Sequence, residues 1–463
     1  MDFPWIEVVV ALIKCLFALI FVMQIVPILI WAERKFCAYI QDRTGPNRAH
    51  VMGIRAMGLI HTLVDVVKLV TKEDIIPDHV ERAFWFAAPV IAMSVALSTF
   101  VVVPWGDQLV LPATITAWWG GTGPLSVPLQ VAQINGGMLF ILAISSLGVY
   151  GIMLAGWSSN NKFSLLGGLR SSAQMVSYEL AMGLAVVTMF MLYGTTRLDQ
   201  IVAQQSGPLW NWGVFGVLDN PHLDPLLAVG WIVGFLAFIM FWVSVFAETN
   251  RMPFDLPEGE AELVAGFHIE YSSLRFALFF MAEYAHMVVG SAVTATLFFG
   301  GYNIPFLDGT AIRAHTDPIL AVLGFAGAPV MLVFAVVAWN RRKRPFYQVL
   351  AKDDIRHREP KFFLAVWLLA ALTLVGVGVL GLSGLIGSTA LGPELVAFGL
   401  QTTVLIIKVL FGTFFMIWVR WTIPRFRYDQ LMDLGWKTML PMGLGTVMLA
   451  GVWVIVREAV HAV

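Results

Sequence analysis

Residues 276–300 read FALFFMAEYAHMVVGSAVTATLFFG, an unbroken apolar run holding one acid, Glu283, and one histidine, His286. Its length matches the ~20 residues that an α-helix needs to cross a bilayer. Working outward from it, nine similar runs recur, at about 8–31, 83–103, 131–156, 172–193, 225–247, 318–339, 363–386, 395–419 and 438–457. The chain is 58% hydrophobic and 13% charged, about half the charge of an ordinary soluble domain, and its mean hydropathy is +0.78. Only helices or closed barrels satisfy backbone polar groups in lipid, and these runs are twice the length of a barrel strand. The expected fold class is an all-α integral membrane protein of about ten transmembrane helices, forming a single polytopic domain over 1–463. The first run is too long for a signal-peptide core and lacks a basic flank, so it reads as a true span.

Composition excludes several functions. The net charge of −1 gives no basic surface for nucleic acid. Two cysteines, Cys15 and Cys37, cannot alone build an iron–sulfur or structural zinc site. The run GVGVLG at 376–381 matches a dinucleotide-binding pattern by letters but lies inside a span, with no strand before it. No metal or nucleotide site is expected.

Lysine and arginine set the orientation. Loops 33–82, 157–171, 248–275, 340–362 and 420–437 carry 24 of the 29 basic residues, whereas the opposite loops carry Arg197, Arg313 and Arg457. By the positive-inside rule the 24-charge side is cytoplasmic and both termini lie outside. Segment 50–73 has apolar residues at helical spacing interleaved with Arg55, Asp65 and Lys68, the pattern of an amphipathic interfacial helix. Segment 340–362 is polar and strongly basic, suited to anchoring on anionic lipid.

The chemistry gathers around ETNRMPFDLPEGEAELVAGFHIEYS, residues 248–272. It holds six carboxylates, Glu248, Asp255, Glu258, Glu260, Glu262 and Glu270, and one base, Arg251. Asp255 and Glu258 resemble a capping box, with Pro257 suited to a first helical turn. Asp255, Glu258 and Glu262 would share one helical face, where like charges repel. The flanking spans contain Glu179 and Glu283, and the ninth contains Lys408. Each costs at least ~2.5–3.5 kcal/mol to insert unless paired or hydrated, so such residues mark ion paths by default. Bases collect on the same side: Arg34, Arg43, Arg48, Arg251, Arg420, Arg425 and Arg427, close in sequence to Glu33, Asp42 and Asp429.

Five stretches carry a resemblance: WAERKFCAYIQDRTGPNR (31–48), AGWSSNNKFSLLGGLRSSAQMVSYEL (155–180), ETNRMPFDLPEGEAELVAGFHIEYSS (248–273), FALFFMAEY (276–284) and VRWTIPRFRYDQLMDLGWKTMLP (419–441). The chain resembles the heel subunit of respiratory complex I, which is the H subunit of NADH–quinone oxidoreductase in bacteria and subunit 1 in mitochondria. The resemblance implies a place between membrane arm and peripheral arm, a tunnel admitting quinone from the bilayer, and the start of an acidic proton-coupling path. Quinone would be the substrate. FMN and iron–sulfur clusters would sit in partner subunits and none in this chain. The expected partners are the peripheral-arm subunits of the quinone site, small membrane-arm subunits, and the lipid bilayer. The path would fall on Glu179, Glu248, Asp255, Glu258, Glu260, Glu262, Glu270 and Glu283, with Lys408. The tunnel wall and docking surface would fall on Glu33, Arg34, Arg43, Arg48, Arg251, Phe254, Arg420, Arg425, Arg427 and Asp429. No complete catalytic site is expected in this chain alone. The implied location is a bacterial inner membrane in preference to a mitochondrial one.

The sequence departs from that family in three places. The family core has eight spans, so the hairpin 318–386, with its basic loop 340–362, reads as an insertion. His61 and His286 stand where proline and asparagine are common. Two alternatives remain: the heel subunit of a membrane-bound hydrogenase or formate hydrogenlyase, and a free-standing cation transporter. The absence of a visible inverted repeat argues against the latter.

Overall fold

The computed structural model describes residues 4–43, 45–117, 123–216, 227–255, 266–340, 343 and 357–461. Ten helices in these residues are long and apolar enough to span a membrane. They are α1 (Pro4–Ile40), α2 (Arg82–Thr99), α3 (Gly137–Ser158), α4 (Lys162–Tyr193), α5 (Leu227–Glu248), α6 (Ser273–Phe298), α7 (Thr316–Asn340), α8 (Arg358–Ser383), α9 (Gly392–Thr422) and α10 (Leu440–His461). The one sheet among the described residues is a short antiparallel pair, Gln108–Leu111 with Leu125–Pro128, in the connection between α2 and α3.

Helices α4 and α6 form the centre. α4 packs on α3, α5 and α10, and α6 packs on α2 and α9, with α1 closing the side between α6 and α9. Buried positions on these two helices include Tyr178, Met182, Ala185, Met189, Val288 and Ala292. Lipid tails offer no hydrophobic gain for helix pairing, so small residues that allow close approach do that work. The outlying pair α7–α8 shows this plainly: a Cβ on Gly324 would lie 2.3 Å from the backbone nitrogen of Gly378. This hairpin packs chiefly on itself, with a narrow seam to α9.

Several helix boundaries differ from the hydropathy reading, most of all at α4, which begins at Lys162 and not near 172 and so takes in most of the expected loop 157–171. α1 continues through Trp31 to Ile40, so Glu33 and Arg34 stand on a helix and not in a loop. The helix expected over 50–73 is shorter, Ile60–Thr71. The residues before it turn repeatedly, because Met52, Gly53, Ala56, Met57 and Gly58 all take positive φ. Gly58 must be glycine there: a Cβ would meet the Pro46 carbonyl oxygen at 2.1 Å. GVGVLG lies within α8, as its hydropathy requires.

Candidate functional site: a lateral chamber and a file of internal acids

Glu33 stands near the C-terminal end of α1, one helical face of which turns toward α6 and α9. There it gathers three partners from distant parts of the chain. Arg251 donates to both carboxylate oxygens at 3.2 and 3.0 Å. Arg420, on the last turn of α9, reaches 2.7 Å. The Tyr284 hydroxyl donates at 2.6 Å, while the Arg251 guanidinium lies over its ring, 4.1 Å from the centroid. Glu33 and Arg251 are buried, at 6% and 2% exposure. Burial acts against the Arg251 charge, but Glu33, with help from Tyr284 and Glu283, holds its pKa above the ordinary arginine value. The pair therefore stays ionic, as a buried arginine–carboxylate contact with added hydrogen bonds can.

This cluster forms one wall of a chamber of about 750 Å³. The other walls are apolar and aromatic, including Ile30, Phe276, Phe280 and Met281, and the Ile60–Thr71 helix closes the far side with His61, Thr62 and Leu69. Arg34 and Asp65 pair across the chamber rim and tie α1 to that helix. Arg43 also lines the chamber and donates to Gln41 and Cys37. A mostly apolar cavity of this size with a few convergent polar groups is the usual form of a small-molecule site.

Behind the cluster the backbone from 247 to 255 is pinned. Gln174 on α4 donates to the carbonyls of Ala247 and Phe254, both at 2.7 Å, and Ser171 donates to Asn250 at 3.1 Å. Phe254 packs edge-on against Tyr178 and at a tilt against Phe426. Asp255 is buried and accepts from Arg425 at 3.0 Å. Glu258, Glu260 and Glu262 lie outside the described residues, as does the expected capping turn.

Next to Asn250, the neighbour of Arg251, lie internal acids. Glu283 interacts with Arg251 through its charge. Glu283, Glu248 and His286 line one small cavity with Asn250 and Gly148. Glu248 and His286 line a second with Thr99, Ser145 and Thr249. Each holds about 30 Å³, enough for about one water molecule beside polar partners. Glu179, half-buried on α4, is near enough to Glu248 to act on it through charge.

Other candidates stand apart. Glu270 accepts from Asn161 at 2.8 Å and lies 3.9 Å from His79. Arg427 and Asp429 form an exposed pair at 2.7 Å, and Arg48 is exposed. Lys408 donates to the carbonyls of Phe299, Gly301 and Asn303 at 2.7–2.8 Å, and lies over the Trp212 ring. Phe299 follows Glu283 by sixteen residues, roughly 24 Å along the α6 axis. Sequence reasoning missed Tyr284, Ser145 and Gln174. Tyr and Ser side chains in a span carry no charge to mark them, and nothing in the letters showed that Tyr284 faces Glu33.

These features define a polytopic membrane protein with a side chamber at the Lys/Arg-rich ends of its helices and ionisable groups leading inward from it. Comparison with known proteins makes the assignment specific. The pattern of the NADH dehydrogenase family matches residues 13–451, and the chain belongs to that family. A relative in Leptospira biflexa, named as the H subunit of an NADH-quinone oxidoreductase, is 40% identical over 424 residues, 92% of this chain and 89% of that one. A relative of the same name, numbered 1, in Solibacter usitatus is 38% identical over 421 residues, 91% of this chain and 90% of that one. Another, numbered 2, in Koribacter versatilis is 36% identical over 453 residues, 97% and 98% of the two chains.

Proposed function

We propose that this chain is the membrane subunit that admits quinone to a proton-pumping NADH–quinone oxidoreductase and passes the consequence of its reduction inward. The family and the relatives' names support membership in such a complex and favour it over a hydrogenase-type heel. The chamber carries the finer reading. Its apolar and aromatic walls suit a flat quinone ring on an isoprenoid tail, and its Arg420–Glu33–Tyr284 wall offers charge and donors to the ring's oxygens. In this reading partner subunits hold FMN and iron–sulfur clusters and supply the electrons.

Reduction of quinone to quinol takes up two electrons and two protons. Charge appearing near the chamber acts on Arg251, which already balances Glu33 on one side and Glu283 on the other. A change in that balance alters how firmly Glu283 holds a proton, because nearby charge shifts a carboxyl group's pKa. Glu283 and Glu248, with a one-water cavity between them, and Glu179, acting on Glu248 through charge, then form the first stage of the proton path. Asp255 and Glu270 are assigned to the same path, as are Glu258, Glu260 and Glu262 of the same loop, and Lys408 marks the far end of α6. Arg34, Arg43, Arg48, Arg425, Arg427 and Asp429 supply the tunnel rim and the docking face for the peripheral arm. The Lys/Arg-rich side is cytoplasmic, in a bacterial inner membrane, and α7–α8 is an insertion on an eight-helix core.

A photoreactive quinone analogue, applied to the assembled complex in membranes, tests the reading. Label is expected on the C-terminal part of α1, on Ile60–Thr71 and around Phe276–Met281. An active complex labelled at none of these positions overturns it.

A further inference from the structure

Arg55 and Glu359 are both 3% exposed and form a buried ion pair, with Arg55 Nε donating at 2.6 Å. They are 304 residues apart, and they join the turns before the Ile60–Thr71 helix to the first turn of α8. Glu359 sits where a helix N-terminus favours negative charge. Its other oxygen lies 3.5 Å from the Met57 backbone N–H. The Met57 carbonyl in turn accepts from Trp31 on α1 at 3.1 Å.

The segment so held is strained. Ala56 and Met57 take φ of 47° and 56°, followed by Gly58 at 95°. Left-handed conformations in side-chain-bearing residues persist only where their surroundings over-determine them. Two residues after Gly58 the chamber helix begins, and His61 and Thr62 face the cavity. Thr62 is fastened by donating to the Leu59 carbonyl at 2.7 Å. A carboxylate on the outlying hairpin thus fixes the start of a chamber wall that it does not itself touch.

We propose that Glu359 is a positioning residue for the quinone chamber, and that α7–α8 serves to set the wall built by Ile60–Thr71. This rests on the chamber being the quinone path. The pair is a latch on chamber geometry: a variant lacking it keeps the chamber but misplaces His61 and Thr62.

The experiment is steady-state kinetics of the assembled complex in inverted membrane vesicles with a short-chain quinone. NADH oxidation by a soluble acceptor reports on assembly. Glu359→Ala is expected to raise the quinone KM roughly threefold to tenfold, the scale of a modest misplacement in a preorganised site, with kcat within about twofold of wild type. The exchange Arg55→Glu with Glu359→Arg is expected to recover much of that loss. Should Glu359→Ala not assemble, Glu359→Gln keeps the side chain's shape and must move KM the same way. A wild-type KM in whichever variant assembles overturns the proposal. Phe280→Trp, which fills the chamber directly, separates the two readings: a KM raised by Phe280→Trp alone sinks only the latch, and a KM unmoved by both sinks the chamber as well.

Discussion

Arg251 and Glu33 lie 218 residues apart in the chain, yet one guanidinium nitrogen of Arg251 spans both oxygens of Glu33 at 3.2 and 3.0 Å. The contact joins the loop after α5 to the end of α1, and Tyr284 of α6 and Arg420 of α9 complete it. Chamber and acids meet at this point.

Removing the cation should therefore uncouple quinone chemistry from electron entry. Arg251→Met leaves Glu33 buried with a single arginine, and breaking such a pair costs about 3–5 kcal/mol. Quinone reduction is expected to fall at least about tenfold, with NADH oxidation by a soluble acceptor preserved in whatever complex assembles. Arg251→Lys restores charge without the planar stack on Tyr284, and should lie between the two.

The internal acids make a separate prediction. Glu179→Gln, Glu248→Gln and Glu283→Gln keep size and hydrogen-bonding capacity while removing the exchangeable charge. Protons pumped per electron should fall in each, measured as vesicle acidification at matched NADH turnover. Unaltered stoichiometry in all three would remove them from the path.

Lys408 invites the opposite result. Its ammonium ties α9 to three carbonyls beyond the end of α6. Lys408→Met strands those acceptors, and charged hydrogen bonds of this kind are worth roughly 1.5–3 kcal/mol each. The expected outcome is a lower thermal midpoint of the purified complex with unchanged protons per electron. A drop in stoichiometry at full assembly would instead make Lys408 a member of the path.

Gln174→Leu tests the pinning of the 247–255 backbone. The Phe254 carbonyl loses its side-chain donor, at about 1–3 kcal/mol for a buried group left unpaired, and the Ala247 carbonyl keeps only the Asn250 N–H. Faster proteolysis between 248 and 275, with helices elsewhere protected, is the expected sign.

The ten spans were legible in the letters because hydropathy is local: each run is long enough to cross and is bounded by charge. The ends were less so. WAERKFCAYI reads as a polar exit from the membrane, yet it stays helical to Ile40, because Glu33 finds its partners inside the protein. The same limit hid the short start of Ile60–Thr71, where positive φ at Ala56, Met57 and Gly58 overrides an apolar periodicity. Among site residues, charge within spans flagged Glu179 and Glu283. Nothing local could pair Arg251 with Glu33 or Arg55 with Glu359, since those meetings depend on how the helices close around one another.

The two voids beside Glu248 have a consequence for the proposed path through size alone. At about 30 Å³ apiece, each has room for one water molecule or so. A sodium ion travelling with its hydration shell does not fit, and a bare one would have to shed that shell at great expense. A hydrogen ion needs no such room, since it moves by exchange between a carboxyl group and a neighbouring water. If the proposed path runs through these voids, their size alone would favour the lightest cation over a hydrated one.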